Sequence, residues 1–346
     1  MSGSFLPNTC LATAAQTEES IFTYAQSYDN EIIEIQGKLS CSPKIYTRTG
    51  RVNTVSPTDT ELPPKRFTPL AAVCTHDWNT QTDRRYVFYL DNKNRLCDAY
   101  FDTDWHRGSL VDKNWVAAPY SRLAAIQLTN RVGANFICVY YQDTSESGDI
   151  IQVSYSHSGW AVGPPPINDP PLFGTSLSVV APEAGIQSAV THNDVAPVVF
   201  FQYDRLGLGS SQDLGDDDYM SYRISQHERA LSAHTSLAAV DDGTNCYVFY
   251  TSDDNKVQRI RIDANGVVHP ATPVNLATQP IPASALNAVM FAGAQETIVL
   301  LYLQHWTVDT KSTESINIYA TTLTRQSMTA TEADNWEVSQ PVRLKR

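Results

Sequence analysis

One six-residue pattern governs this chain. It occurs as Thr9-Cys-Leu-Ala-Thr-Ala14, Thr68-Pro-Leu-Ala-Ala-Val73, Ser121-Arg-Leu-Ala-Ala-Ile126, Thr175-Ser-Leu-Ser-Val-Val180, Thr235-Ser-Leu-Ala-Ala-Val240 and Ser284-Ala-Leu-Asn-Ala-Val289. The central residues Leu11, Leu70, Leu123, Leu177, Leu237 and Leu286 are 59, 53, 54, 60 and 49 positions apart. That period is too long for a helical-pair solenoid, and a sandwich has no need for one sequence to return at a fixed interval. Repeats of this length with strand-like content point to propeller blades. Crowding explains the composition: sheets arranged radially come closest at the axis, where a densely packed interior admits only Ala, Ser and Val around one Leu anchor. The expected fold is therefore all-β, a six-bladed β-propeller with four antiparallel strands per blade. It forms one unit over residues 1–346, with blades near 9–67, 68–120, 121–174, 175–234, 235–283 and 284–346.

Each hexapeptide is followed by an apolar, aromatic run, read as a second strand buried on both faces. These runs are Ile21 to Gln26, Tyr86 to Asp91, Ile137 to Gln142, Pro197 to Gln202, Tyr247 to Ser252 and Val299 to Gln304. Third strands with period-two alternation are expected at Glu31 to Gln36, Arg95 to Tyr100, Asp149 to Tyr155, Tyr219 to Ser225, Lys256 to Ile262 and Ser315 to Thr321. Fourth strands are less regular, but Asn114-Trp-Val, Gly159-Trp-Ala-Val and Asn335-Trp-Glu-Val share a tryptophan suited to clamping an edge onto the next blade. Two stretches, Arg51 to Arg66 and Tyr203 to Asp218, break the rhythm and read as long surface excursions.

With 25 basic and 37 acidic residues the net charge is −12, and no Lys/Arg run interrupts it. Nucleic acid and anionic membranes are poor partners for such a surface. No apolar run reaches the ~18–20 residues of a membrane span, so a soluble protein is expected, with cytoplasmic and secreted locations both open. The six cysteines, Cys10, Cys41, Cys74, Cys97, Cys138 and Cys246, contain no C-x-x-C pair, and no metal site is expected. Buried thiols are favoured; an even count leaves a bridge such as Cys10 to Cys74 open.

The run Ile137-Cys-Val-Tyr-Tyr-Gln142, Asp149-Ile-Ile-Gln-Val-Ser-Tyr155 and Gly159-Trp160 resembles one blade of the fungal fucose-binding lectins, which are six-bladed propellers. Those lectins hold fucose between blades with a second-strand Arg, a third-strand Glu and neighbouring aromatic rings. Carried over position by position, the resemblance puts the arginine on Phe22, Val87, Cys138, Val198, Val248 and Leu300, none of them basic. It puts the glutamate on Glu34, Asp98, Gln152, Tyr222, Arg259 and Ile318. The scaffold is expected to persist without its sugar clamps. In this the chain is similar to the fungal hetero-Diels-Alderases of tropolonic sesquiterpenoid pathways, which resemble degenerate fucose lectins. That likeness implies a cofactor-independent pericyclase joining two small apolar substrates, a tropolone-type quinone methide and a humulene-like macrocyclic terpene.

A cycloaddition moves no hydride, so it asks for an aromatic pocket with a few donors for developing charge. The loops leading into the inner strands and the loops between second and third strands share one propeller face, and there the chain gathers aromatics and cations. The candidates are His305, Arg66 and His234 as catalytic donors, and Trp306, Phe67, Tyr120, Arg122, Phe173 and Tyr203 as substrate-binding residues, with Arg205 beside them. The opposite face offers a weaker set, His76, Trp78, Arg131 and His192. Hydrolase signatures are missing: no Gly-x-Ser-x-Gly elbow exists, and Ser154-Tyr-Ser-His-Ser-Gly-Trp160 lacks the Asp of a sialidase box. The competing reading is a fucose- or glycan-binding lectin, or another non-catalytic small-molecule binder.

Overall fold

In the computed structural model every hexapeptide runs into the inner strand of an antiparallel sheet, and there are six such sheets. The structure describes residues 5–6, 9–17, 20–38, 45–52, 63–77, 82–129, 135–163, 167, 170–181, 197–204, 206–215, 218–224, 231–276, 280–281, 283–291, 297–306, 315–325, 336–338 and 342–343. Blade one comprises Ala12–Thr17, Ser20–Gln26, Ile32–Lys38 and Ile45–Arg51; blade three comprises Leu123–Thr129, Asn135–Gln142, Ile150–Ser156 and Gly159–Val162. Strands pair in chain order in every blade, and the sixth adds the short strand Val342–Arg343 against its third. Each inner strand contacts the inner strand of the next blade, and Leu286–Phe291 of blade six contacts Ala12–Thr17 of blade one. The ring is thereby closed, by a shared core of Ile21, Ile33 and Ile35 with Val299, Leu301 and Ile318.

The hexapeptide's first residue is as fixed as its leucine, and hydrogen bonding explains why. The hydroxyl of Thr9, Thr68, Ser121, Thr175 or Thr235 accepts the backbone N–H of Gln26, Leu90, Gln142, Gln202 or Thr251 at 2.6–3.0 Å. Each bond ties the start of an inner strand to the end of the second strand. These side chains are buried, where an unpaired N–H costs about 1–3 kcal/mol, so Ser or Thr is required rather than merely small. Glutamine plays the complementary part between blades. Gln142 donates to Gly148 and Leu172 carbonyls and accepts from Gly174 N–H at 2.9 Å, so blade three holds the turn that begins blade four. Gln26 and Gln202 make corresponding bonds to the Lys65 and Ser232 carbonyls.

The structure departs from expectation in two blades. In blade four the third strand is Leu208–Gly215 and the fourth Asp218–Arg223, so the supposed excursion is itself sheet. Its glycines suggest a loop, yet they answer a packing need. A β-carbon on Gly207 would sit 2.1 Å from Cζ of Tyr203, and one on Gly209 3.1 Å from the Phe201 ring. In blade two the fourth strand is Trp105–Arg107, and Trp115 follows a 3-10 turn at Leu110–Lys113 that brings its carbonyl to Leu96 N–H at 2.9 Å. Trp160 does clamp an edge, but onto the preceding blade: its ring meets Phe88 edge-on at 5.9 Å. Of the other excursion, 53–62 lie outside the described residues, and Ile45–Arg51 forms the outer strand of blade one.

Candidate functional site

The six inner strands are entered through six equivalent turns, closed by N–H to carbonyl bonds Thr9 to Leu6, Thr68 to Lys65, Ser121 to Ala118, Thr175 to Leu172, Thr235 to Ser232 and Ser284 to Ile281. Their central positions hold Arg66 and Phe67, Pro119 and Tyr120, Phe173 and Gly174, and Ala233 and His234. Five of the nine candidate residues thus crown one end of the propeller axis. Phe67 (φ 59°) and His234 (φ 59°) adopt the left-handed conformation that Gly174 (φ 75°) adopts without strain. Phe67, Tyr120 and Phe173 are exposed by 45%, 39% and 49%, unusual for rings of this size. They form two groups. The Arg66 guanidinium lies 5.5 Å from the Phe67 ring centroid, and Tyr120 meets Phe173 at 5.4 Å. Gly174 joins Tyr120 to His234: a β-carbon there would touch Tyr120 Cβ at 3.6 Å and His234 Nδ1 at 3.5 Å.

Beneath this crown lies a cavity of about 540 Å³ walled by all six inner strands. Its wall is made of small residues, the six leucines and hydroxyls, with Arg122 and His234 as basic residues; among the described residues it has no carboxylate and no Phe, Tyr or Trp. Ser176 and Ser178 accept the N–H groups of Leu237 and Ala239 at 3.0 and 2.8 Å, so each keeps a hydroxyl proton to donate. Asn287 donates to the Leu11 carbonyl at 3.3 Å across the closure of the ring. Arg122 places Nη1 3.0 Å from Cys10 Sγ. Lys65, close by, donates to Asn94 Oδ1 and the Pro119 carbonyl, both at 2.9 Å. Burial, and then the Arg122 charge, hold its ammonium below the usual lysine range. The Asp91 carboxylate favours the Lys65 ammonium, whereas Arg122 has Cys10 as its partner.

The spaces between blades differ from this. Strand register fixes which residues correspond to the lectin clamp, and it corrects several assignments. The acid positions, paired with Tyr24, Phe88, Tyr140, Phe200, Phe249 and Leu301, are Glu34, Asp98, Gln152, Ser210, Arg259 and Ala320. Tyr222 lies instead on the fourth strand, and Ile318 lies two residues before Ala320 on the same face of its sheet. Two residues before those partners stand Phe22, Tyr86, Cys138, Val198, Tyr247 and Val299, one place earlier than expected in blades two, five and six. None is an arginine. At Glu34 a cation arrives from the next blade. Arg85 Nε lies 3.1 Å from Oε2 and Nη2 3.4 Å from Oε1, while Tyr24 donates to Oε2 at 2.8 Å. The guanidinium is sandwiched between Phe22 and Phe101, 4.0 Å from each centroid. Asp98 is buried, accepts Leu110 N–H at 2.8 Å, and its carboxyl is pushed up to about 6 by desolvation.

Tyr203 is not on the crown. It is completely buried, with the Arg223 guanidinium 4.8 Å from its ring, because its backbone turns at Gly207 into the third strand of blade four. His305 and Trp306 end the long second strand Thr297–Trp306 of blade six, paired with Ile316 and Ser315; their side chains, like those of His76, and residues Trp78, Arg131, His192 and Arg205, lie outside what the structure describes. Cys10 and Cys74 are free thiols, as are Cys97, Cys138 and Cys246, and Cys41 lies outside the described residues. Sequence reading missed Arg85 and Cys10. The signal for Cys10 was its place in the hexapeptide, equivalent to Pro69, Arg122, Ser176, Ser236 and Ala285, which makes it a wall residue.

A sequence profile described as fungal fucose-specific lectin matches residues 62–325. The chain belongs to this family. Among solved structures, the Aleuria aurantia lectin, a six-bladed β-propeller, superposes with a TM-score of 0.72 at 18% identity over 99% of this chain and 98% of its own. AofleA from Arthrobotrys oligospora gives 0.69 at 15% identity, covering 98% and 90%, and the BP39L lectin from Burkholderia pseudomallei gives 0.63 at 13%, covering 97% and 99%. A comparison with curated proteins returns no match. No helix among the described residues is long and apolar enough to cross a membrane.

Proposed function

We propose that this lectin-family propeller is a binding protein that holds one small ligand in its axial cavity rather than several sugars between its blades. The observation that carries this reading is the cavity itself: about 540 Å³, within the ~300–1,000 Å³ of small-ligand sites, under a ring of turns bearing Tyr120, Phe173 and His234. The interblade positions argue the same way, since no second-strand clamp position holds an arginine and Glu34 is already paired with Arg85. The test is retention on immobilised fucose. Passage without retention is expected, and retention with elution by free fucose overturns the reading.

The pericyclase reading draws on the same cavity. Its volume admits a fused pair of ring systems, and Arg122 and His234 are donors for a quinone methide oxygen. A wall without aromatic rings suits that chemistry less well than it suits a hydroxylated ligand. On this reading, hydroxymethyl tropolone precursor and humulene should give a single stereoisomeric adduct in the presence of the protein. A product mixture and rate equal to the protein-free control reject it.

A further inference from the structure

We infer that the axial site recognises a carboxylate, carried by a hydroxylated small molecule, with Arg122 as its counter-ion; this rests on the axial-cavity reading above. The argument begins with charge. A guanidinium taken out of bulk water needs an anion or several good acceptors. Among the described residues Arg122 has one sulfur at 3.0 Å and no carboxylate, on a chain whose net charge is −12. The sequence holds 37 acidic residues, yet among the described residues none contributes a side chain to the cavity wall. Lys65 adds a second positive charge close enough to Arg122 for each to feel the other, with two of its three N–H donors committed to Asn94 Oδ1 and the Pro119 carbonyl. The cavity is therefore a positive well inside a negative protein.

The shape of the charge selects the anion. A guanidinium presents a planar fork that matches the two oxygens of a carboxylate, and Arg122 is the guanidinium on the wall itself. The rest of the wall supplies hydroxyl protons from Ser176 and Ser178, which suit hydroxyl groups on the ligand. Above it, the Tyr120 and Phe173 rings, 5.4 Å apart and beside His234, form an apolar platform for the face of a ligand ring. An acidic sugar meets all three demands, and a simple hydroxy acid meets the first two.

Titration calorimetry on the full chain separates these cases, with D-glucuronate, lactate, D-glucose and L-fucose as probes. Glucuronate should bind, glucose and fucose should not, and Arg122→Met should weaken glucuronate by about 10–100-fold while leaving the melting temperature of the unliganded protein nearly unchanged. Binding of lactate as tight as glucuronate assigns the carboxylate alone as the ligand and still supports the proposal. The alkylation rate of Cys10, read by peptide mass mapping against Cys74 as control, locates the site independently. If glucose binds as well as glucuronate and protects Cys10, the cavity stands and the carboxylate inference falls. Glucuronate binding without protection of Cys10 places the site elsewhere and overturns both, as does the absence of binding by every probe.

Discussion

Two arginines in this molecule are held in opposite ways. Arg85 sits between blades one and two with a bidentate carboxylate, an aromatic ring on each side and a tyrosine hydroxyl completing the acid's contacts. Arg122 sits at the axis with a thiol and open space. The first is a finished interaction that leaves nothing for a ligand to add; the second is unfinished. The contrast teaches where binding capacity has gone. At Glu34 the interblade position that the family resemblance marks for sugar is filled by Arg85 and its flanking rings, whereas the axis, lined by residues chosen for smallness, keeps both volume and charge.

The sharpest way to break the comparison is at Glu34. Removing it by Glu34→Ala strands a buried guanidinium, and chemical denaturation should show a loss of about 3–5 kcal/mol. A loss under 1 kcal/mol would mean that Arg85 is solvated and no more finished than Arg122. Asp98 tests the converse, a buried acid in no ion pair among the described residues. Its native carboxyl keeps a proton up to about pH 6, while the unfolded chain releases it near pH 4. Stability from this group is therefore present at low pH and lost as pH rises through that window. Asp98→Asn should raise stability at pH 7 by on the order of 2–3 kcal/mol and flatten the profile between pH 4 and 6; an unchanged pH profile contradicts the assigned burial cost. The inter-blade latch comes next: Gln142→Ala, which leaves the Gly174 N–H and two carbonyls to find water, should cost about 1–2 kcal/mol in the same measurement. Smallest is Arg122→Met, expected within about 0.5 kcal/mol of wild type because no buried partner is abandoned; a loss like that of Glu34→Ala would make Arg122 structural.

Much of the fold was legible because crowding at an axis leaves a chemical trace. Six leucines, six small flanks and six Ser/Thr anchors encode six inner strands, and the crown residues Arg66, Phe67, Tyr120, Phe173 and His234 follow from their place before those anchors. Blade four was misread because Gly207 and Gly209 serve the neighbouring rings of Tyr203 and Phe201, and a glycine that makes room looks in sequence like a glycine that makes a turn. The same confusion put Tyr203 on the crown. Arg85 escaped notice because it precedes the expected clamp position by one or two residues and so faces the preceding blade, and alternation along a strand turns a one-residue shift into a change of partner. The Arg122 to Cys10 contact joins residues 112 positions apart across an intervening blade, a proximity that no local pattern carries.

The central claim is that this lectin-family chain binds at its axis and not between its blades. A crystal structure of the protein soaked with D-glucuronate tests it directly. The account predicts density in the axial cavity with carboxylate oxygens on the Arg122 guanidinium; density between two blades, with the axis empty, would contradict it.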